Sequence, residues 1–176
     1  ADSKNLIELG TRSLLVEDGK KLILIDCGLG NKQDEKFFGH YSLYGDDTLE
    51  KNLAKYGFVK DDITDVFLTH LHFDHCGGAI EWNDDKSGYR PAFKNAQFWT
   101  NENHWKWATE PNPREKASFL KENILPMQES GQLQFLPTPK TGNYGFAPDL
   151  KMDVIFVDGH TEKQMLPVIQ YQEKTI

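Results

Sequence analysis

His70-Leu71-His72-Phe73-Asp74-His75, running directly into Cys76-Gly77-Gly78, constrains this chain more than any other stretch. Four good metal-ligand side chains fall within six residues, a spacing that packing does not explain. Side chains alternate along an extended segment, so a His-x-His pair puts both imidazoles on one face. Asp74 and His75 follow where the chain turns, and offer ligands to a second metal beside the first. The two glycines are expected to let the backbone pass close to a bound ion and to start a new element. The pattern predicts a hydrolytic metal centre. Zinc fits these donors best, because it accepts imidazole and carboxylate without geometric demands. Iron or manganese would accept the same ligands.

A catalytic centre needs donors from elsewhere in the chain. Asp158-Gly159-His160-Thr161 follows an apolar run, Met152 to Val157, that reads as a strand. By itself His160 would be a solvated loop histidine, but beside the first cluster it becomes the expected distant ligand. Asp26 ends another apolar run. It is either a buried carboxylate orienting a ligand histidine or an ordinary turn aspartate, and Asp158 has the same two readings. His40 lies in a Gly/Tyr-rich loop and His104 in an aromatic helix, so surface or packing roles are expected for both. Phe98, Trp99, Trp105 and Trp107 could line an apolar pocket, with core packing expected for most of them.

The rest of the chain supplies the scaffold. Leu14 to Glu17 and Lys21 to Ile25 read as strands joined at Asp18-Gly19, a hairpin signal. Asp47 to Tyr56 reads as a helix capped by Asp46 or Asp47 and ended at Gly57. Asp65 to Thr69 is a buried strand leading into the histidine cluster. Strands are expected at Ala96 to Thr100, Leu133 to Leu136, Met152 to Val157 and Leu166 to Tyr171. Helices are expected at Asn101 to Ala108 and Arg114 to Asn123. Hairpins mixed with longer crossovers favour a layered α/β fold with a mixed sheet. The cluster then falls at a strand's C-terminal end, where α/β sites commonly lie.

The 176 residues suffice for one domain with a sizeable core. A net charge of -7 argues against a nucleic-acid backbone as the main partner. No apolar run approaches the roughly 20 residues that span a bilayer, so no membrane partner is expected. Cys27 and Cys76 are the two cysteines, too few for a disulfide framework. A reducing, cytoplasmic setting is the expectation. Thr175-Ile176 begins what reads as the return strand of a hairpin, and the sequence looks cut.

Thr69-His70-Leu71-His72-Phe73-Asp74-His75-Cys76-Gly77-Gly78 resembles the signature of the metallo-β-lactamase superfamily. Leu24-Ile25-Asp26-Cys27-Gly28 resembles its early strand-Asp-x-Gly element, and Gly159-His160-Thr161 its third metal motif. The resemblance implies an αββα sandwich over residues 1–176, incomplete at both ends, with one or two metals at the sheet edge. By motif position His70, His72 and His160 would hold the first ion, and Asp74 and His75 would contribute to the second. The family's bridging Asp and final His have no counterpart before Ile176. The long insert between Ile80 and Leu133 is similar to the branch of lactonases and organophosphate hydrolases. Glu162-Lys163-Gln164 after Thr161 departs from the thioesterase branch. The expected activity is metal-assisted hydrolysis of an ester, lactone or phosphotriester in a small-molecule substrate. Asp74 would orient the attacking water; the oligomeric state is open, with a homodimer a common outcome for proteins of this kind. The rivals are a catalytically silent metal-binding or regulatory protein, and a di-iron redox member that would need a flavin partner.

Overall fold

The computed structural model describes all residues except 4, 18, 140–142 and 148–150. Asp18, half of the expected hairpin signal, lies outside the described residues, but the hairpin itself forms. Strands β1 (Leu14–Glu17) and β2 (Leu22–Ile25) pair antiparallel, with Glu17 opposite Leu22. Gly19 sits in the connection at φ 82°, where a side chain would be strained.

Every residue of β2, Leu-Ile-Leu-Ile, is buried. A strand covered on one face would alternate, so this run marks a strand between two layers. Leu22 and Leu24 join one apolar cluster with Leu53, Trp105, Ala108, Ile124 and Met127. Ile23 and Ile25 join another with Met152, Val154, Met165 and Ile169. The first cluster faces helices α2 (Leu49–Lys55), α4 (Glu102–Thr109) and α5 (Lys121–Glu129). The second faces a second sheet. β2 continues through parallel pairing to β3 (Asp65–Phe67), β6 (Gln97–Asn101) and β7 (Leu133–Leu136), giving the order β1-β2-β3-β6-β7. The other sheet holds β8 (Tyr144–Ala147), β9 (Met152–Val157), β10 (Gln164–Tyr171) and β11 (Lys174–Thr175), all antiparallel. A two-stranded ribbon, β4 (Ile80–Trp82) with β5 (Tyr89–Pro91), flanks α5. The layers therefore read helix, sheet, sheet. Among the described residues, no helix follows α5, and α2, α4 and α5 lie on the first cluster's side, so the expected αββα sandwich is present in three of its four layers.

Several local expectations change. Thr48, not Asp46 or Asp47, caps α2: its Oγ1 accepts from the Lys51 N–H at 3.2 Å. The two aspartates pair with Lys51 and Lys55 instead. A short helix, α1 (Glu35–Gly39), was not foreseen. The helix expected from Arg114 starts only at Lys121. The Asn112 side chain competes for the backbone there, its Oδ1 accepting from the N–H groups of Arg114 (2.9 Å) and Glu115 (3.0 Å). A single turn of 3-10 helix at Lys116–Ser118 follows, and Phe119 then enters the core. The return strand at Thr175 forms, with Ile169 and Ile176 exchanging two backbone bonds of 2.8 Å. Gln172 and Glu173 both adopt positive φ, at 47° and 65°, the conformation of a two-residue hairpin turn.

Candidate metal centre

Three parallel strands end side by side and aim their next residues at one place. Asp26 follows β2, His70 follows β3 after Leu68 and Thr69, and α4 follows β6. The second sheet closes on this edge through the Met165 N–H, which donates to the Thr69 carbonyl at 2.8 Å. His160 arrives on the loop after β9.

His70, His72 and His160 converge. One ring nitrogen of each lies within 4.8 Å of those of the other two. His70 Nε2 and His160 Nε2 are 3.3 Å apart. Two nitrogens bound to one zinc at about 2.05 Å and the tetrahedral angle would sit about 3.3 Å apart, so the donor pair fits such an ion. The ring of His70 packs 4.6 Å from His72, 5.0 Å from His160 and 4.0 Å from His75, centroid to centroid. Burial, with His75 and the other imidazoles crowding it, pushes the His70 pKa down to about 2. Burial and His160 also lower His72. Both imidazoles are therefore neutral near pH 7, the form that binds a metal.

Asp26 is bonded to His75 and Thr69. Its Oδ2 meets His75 Nδ1 at 2.7 Å and accepts the Thr69 hydroxyl at 2.8 Å. Its Oδ1 accepts the Thr69 N–H at 2.8 Å. With the Thr69 proton committed to Asp26, its oxygen is left to accept from His70 Nδ1 at 3.1 Å. One carboxylate thus leaves the Nε2 lone pairs of His75 and His70 free. Asp26 holds φ 56° to do this, an uncommon conformation that Asp tolerates better than most residues. Burial pulls the His75 pKa down, but the bond to Asp26, with Asp74 close by, outweighs it and leaves it raised. His75 Nε2 lies 3.6 Å from Asp74 Oδ2. Among the described residues no third donor joins those two in a compact group.

Other expectations fall differently. Asp158 touches no imidazole. Its Oδ1 accepts the Lys163 N–H at 2.9 Å and its Oδ2 the Lys163 ammonium, closing the loop that carries His160. Cys76 is fully buried, and burial pushes its thiol up to about 12, so it is a packing residue and not a thiolate. The glycines after the cluster serve the backbone of a neighbouring loop, not a bound ion: a Cβ on Gly77 would lie 2.0 Å from Leu29 O, and one on Gly78 2.1 Å from Cys27 O. Phe98 and Trp105 are core residues, and Trp99 and Trp107 send their indole N–H groups to Asp65 (2.8 Å) and Glu115 (3.1 Å). The aromatic ring against the cluster is Phe119, 4.7 Å from the His72 ring and 5.9 Å from that of His104, while Phe73 packs on Phe37 and Tyr41. His40 is exposed and apart from the site.

His104 has a larger part than packing. It is fully buried, its Nε2 accepts the Leu71 N–H at 2.9 Å, and its Nδ1 meets the Glu162 carbonyl at 2.6 Å. It ties the segment between His70 and His72 to the loop after His160. Burial, only partly offset by the Glu162 carbonyl, lowers its pKa from 6.5 to about 4. Between those values the unfolded chain binds a proton that the folded chain refuses, so stability is lost as pH falls from about 6.5 to about 4. At about 1.4 kcal/mol per unit the loss approaches ~3 kcal/mol. Denaturant unfolding of the metal-free protein against pH should show this slope added to those of His70 and His72, which burial also lowers, and His104→Gln should remove only its own share. An equal slope in both proteins would refute the assignment. Glu115 and Thr161 also reach the site, and no sequence motif marks Glu115.

These elements define a class. The family model described as the metallo-beta-lactamase superfamily matches residues 6–142, and the chain belongs to that superfamily. A solved structure described as a "probable metal-dependent hydrolase" from Staphylococcus aureus is 25% identical, with a TM-score of 0.85. The alignment covers 99% of this chain and 59% of that one. AidC, described as a dizinc quorum-quenching lactonase, is 24% identical with a TM-score of 0.67, over 93% of this chain and 53% of that one. The transcription termination factor FttA of Methanocaldococcus jannaschii is 34% identical over 70 residues, 40% of this chain and 9% of that protein. The chain thus spans little more than half the length of these two structures and a small part of the termination factor. Among the described residues, no helix is long and apolar enough to cross a membrane.

Proposed function

We propose that the chain carries the metal centre of a hydrolase that cleaves an ester, lactone or phosphotriester bond in a small molecule. The observation that carries this reading is the convergence of His70, His72 and His160 within 4.8 Å. The likeness to the Staphylococcus aureus protein supports metal-dependent hydrolysis as the class. Zinc is the proposed ion, because three imidazoles suit it and no thiolate is at hand. Such an ion, when bound, polarises the target oxygen and lowers the pKa of a bound water from about 15.7 toward about 7.

The residues divide the remaining work. His70, His72 and His160 hold the first ion. Asp74 and His75 add two donors beside it for a second, with Asp26 holding the His75 ring. Asp74 is half-exposed and orients the attacking water. The mechanism needs no side-chain nucleophile, since the water itself attacks.

The test is a panel of lactones, phosphotriesters and β-lactams offered to the zinc-loaded protein. Turnover of at least one substrate class is expected. It should disappear with a chelator and return with zinc. Stoichiometric zinc with no turnover of any substrate would favour the silent metal-binding protein instead.

A further inference from the structure

Each metal-facing imidazole needs a partner for its second nitrogen, and in this chain two of them have one. His70 is held through Thr69 and His75 directly by Asp26. His72 is different. Its Nε2 is buried without a hydrogen-bond partner, and a polar atom in that state is costly. Glu115 Oε2 lies 3.7 Å away, just beyond hydrogen-bond reach.

That carboxylate is firmly placed. Oε2 accepts the Thr161 hydroxyl at 2.8 Å and the Trp107 indole N–H at 3.1 Å. Oε1 accepts from Asn112 Nδ2 at 3.4 Å. Its backbone N–H is fixed in the Asn112 turn. The donors come from α4, from the segment before α5 and from the residue next to His160. Thr161 is itself buried, so Glu115 bonds the loop of one proposed ligand while facing the ring of another.

We propose that Glu115 is the positioning residue of His72: its Oε2 accepts the Nε2–H, which leaves Nδ1 as the metal-binding nitrogen. Glu115 also keeps the His160 loop in register through Thr161. This inference rests on the reading of the three histidines as a metal site. What it adds is the carboxylate that holds the His72 ring, as Thr69 holds that of His70. Outer carboxylates of this kind are typically worth 10- to 100-fold in metal affinity.

The experiment uses the full chain with zinc. Chelator competition gives the zinc affinity of wild type, Glu115→Gln and Glu115→Ala. Nitrogen-15 NMR of the zinc-loaded wild type reads which His72 nitrogen carries the proton. The expected spectrum has His72 protonated at Nε2 and metal-bound at Nδ1. Glu115→Ala should weaken zinc binding roughly 10- to 100-fold. Glu115→Gln, which keeps an acceptor oxygen, should fall between the two. The proposal is overturned if His72 binds through Nε2, or if Glu115→Ala holds zinc as tightly as wild type. The wild-type spectrum decides the point even where a variant fails to fold. A wild type that binds no zinc overturns the metal-site reading itself, whereas normal wild-type binding with an unaffected Glu115→Ala overturns only the role of Glu115.

Discussion

His70→Ala should raise the zinc dissociation constant by at least ~100-fold, more than loss of an outer partner costs, and take hydrolysis to background. His70 is the hub of the cluster, with its Nε2 facing that of His160 at 3.3 Å and its ring against those of His72 and His75. Removing it leaves His72 and His160 as a two-imidazole site, whereas catalytic zinc sites keep three protein ligands. The fold should survive. The substitution gives up one hydrogen bond to Thr69, worth about 1 kcal/mol, and relieves the crowding of His70 against the rings of His72, His75 and His160. His40→Ala, at an exposed position, is the control and should leave both quantities unchanged. Elemental analysis after loading and the substrate panel together decide the point. Wild-type zinc affinity in His70→Ala would mean that the ion sits elsewhere.

The same cluster shows what the sequence makes legible. Val66-Phe67-Leu68 entering His70 announces a buried strand that delivers ligands at its end, and both the strand and its place at the sheet edge follow from local pattern. Leu-Ile-Leu-Ile in β2 announces burial on two faces for the same reason. His160 could be read because it follows a strong strand signal and shares its chemistry with the first cluster. The illegible parts depend on partners distant in the chain. His104 looks like one more residue of an aromatic helix until Leu71 and Glu162 are seen on its two nitrogens. Glu115 sits where a helix pattern was expected, and only the Asn112 side chain, by taking two backbone N–H groups, turns it toward His72. Phe119, the ring against His72, escaped because it lies in the segment that reads as a helix from Arg114 but forms a 3-10 turn and an extended residue instead.

Gly78→Ala should cost about 3 kcal/mol or more, the upper end for an overpacked interior site, without touching a single proposed ligand. The added Cβ would stand 2.1 Å from the Cys27 carbonyl oxygen and 3.1 Å from its carbon. Backbone atoms cannot swing aside as a side chain can, and these are tied down. The Gly78 N–H donates to Gly28 O at 3.0 Å and the Cys27 N–H to His75 O at 2.8 Å. The neighbouring position is no freer, since a Cβ on Gly77 would meet Leu29 O at 2.0 Å. The Lys32 ammonium also caps the Gly77 carbonyl from inside the core. The loop after β2 and the short helix α3 (Phe73–Cys76) are therefore joined backbone to backbone. The glycine pair in the motif is a requirement of that contact, and it fixes Asp26 and His75 relative to each other. Denaturant unfolding of the metal-free Gly78→Ala protein measures the cost, and a loss below ~1 kcal/mol would contradict it. Zinc titration of the same protein should show the proposed second site failing first, because α3 carries Asp74 and His75, whereas the loop of His160 is tied through Asp158 and His104.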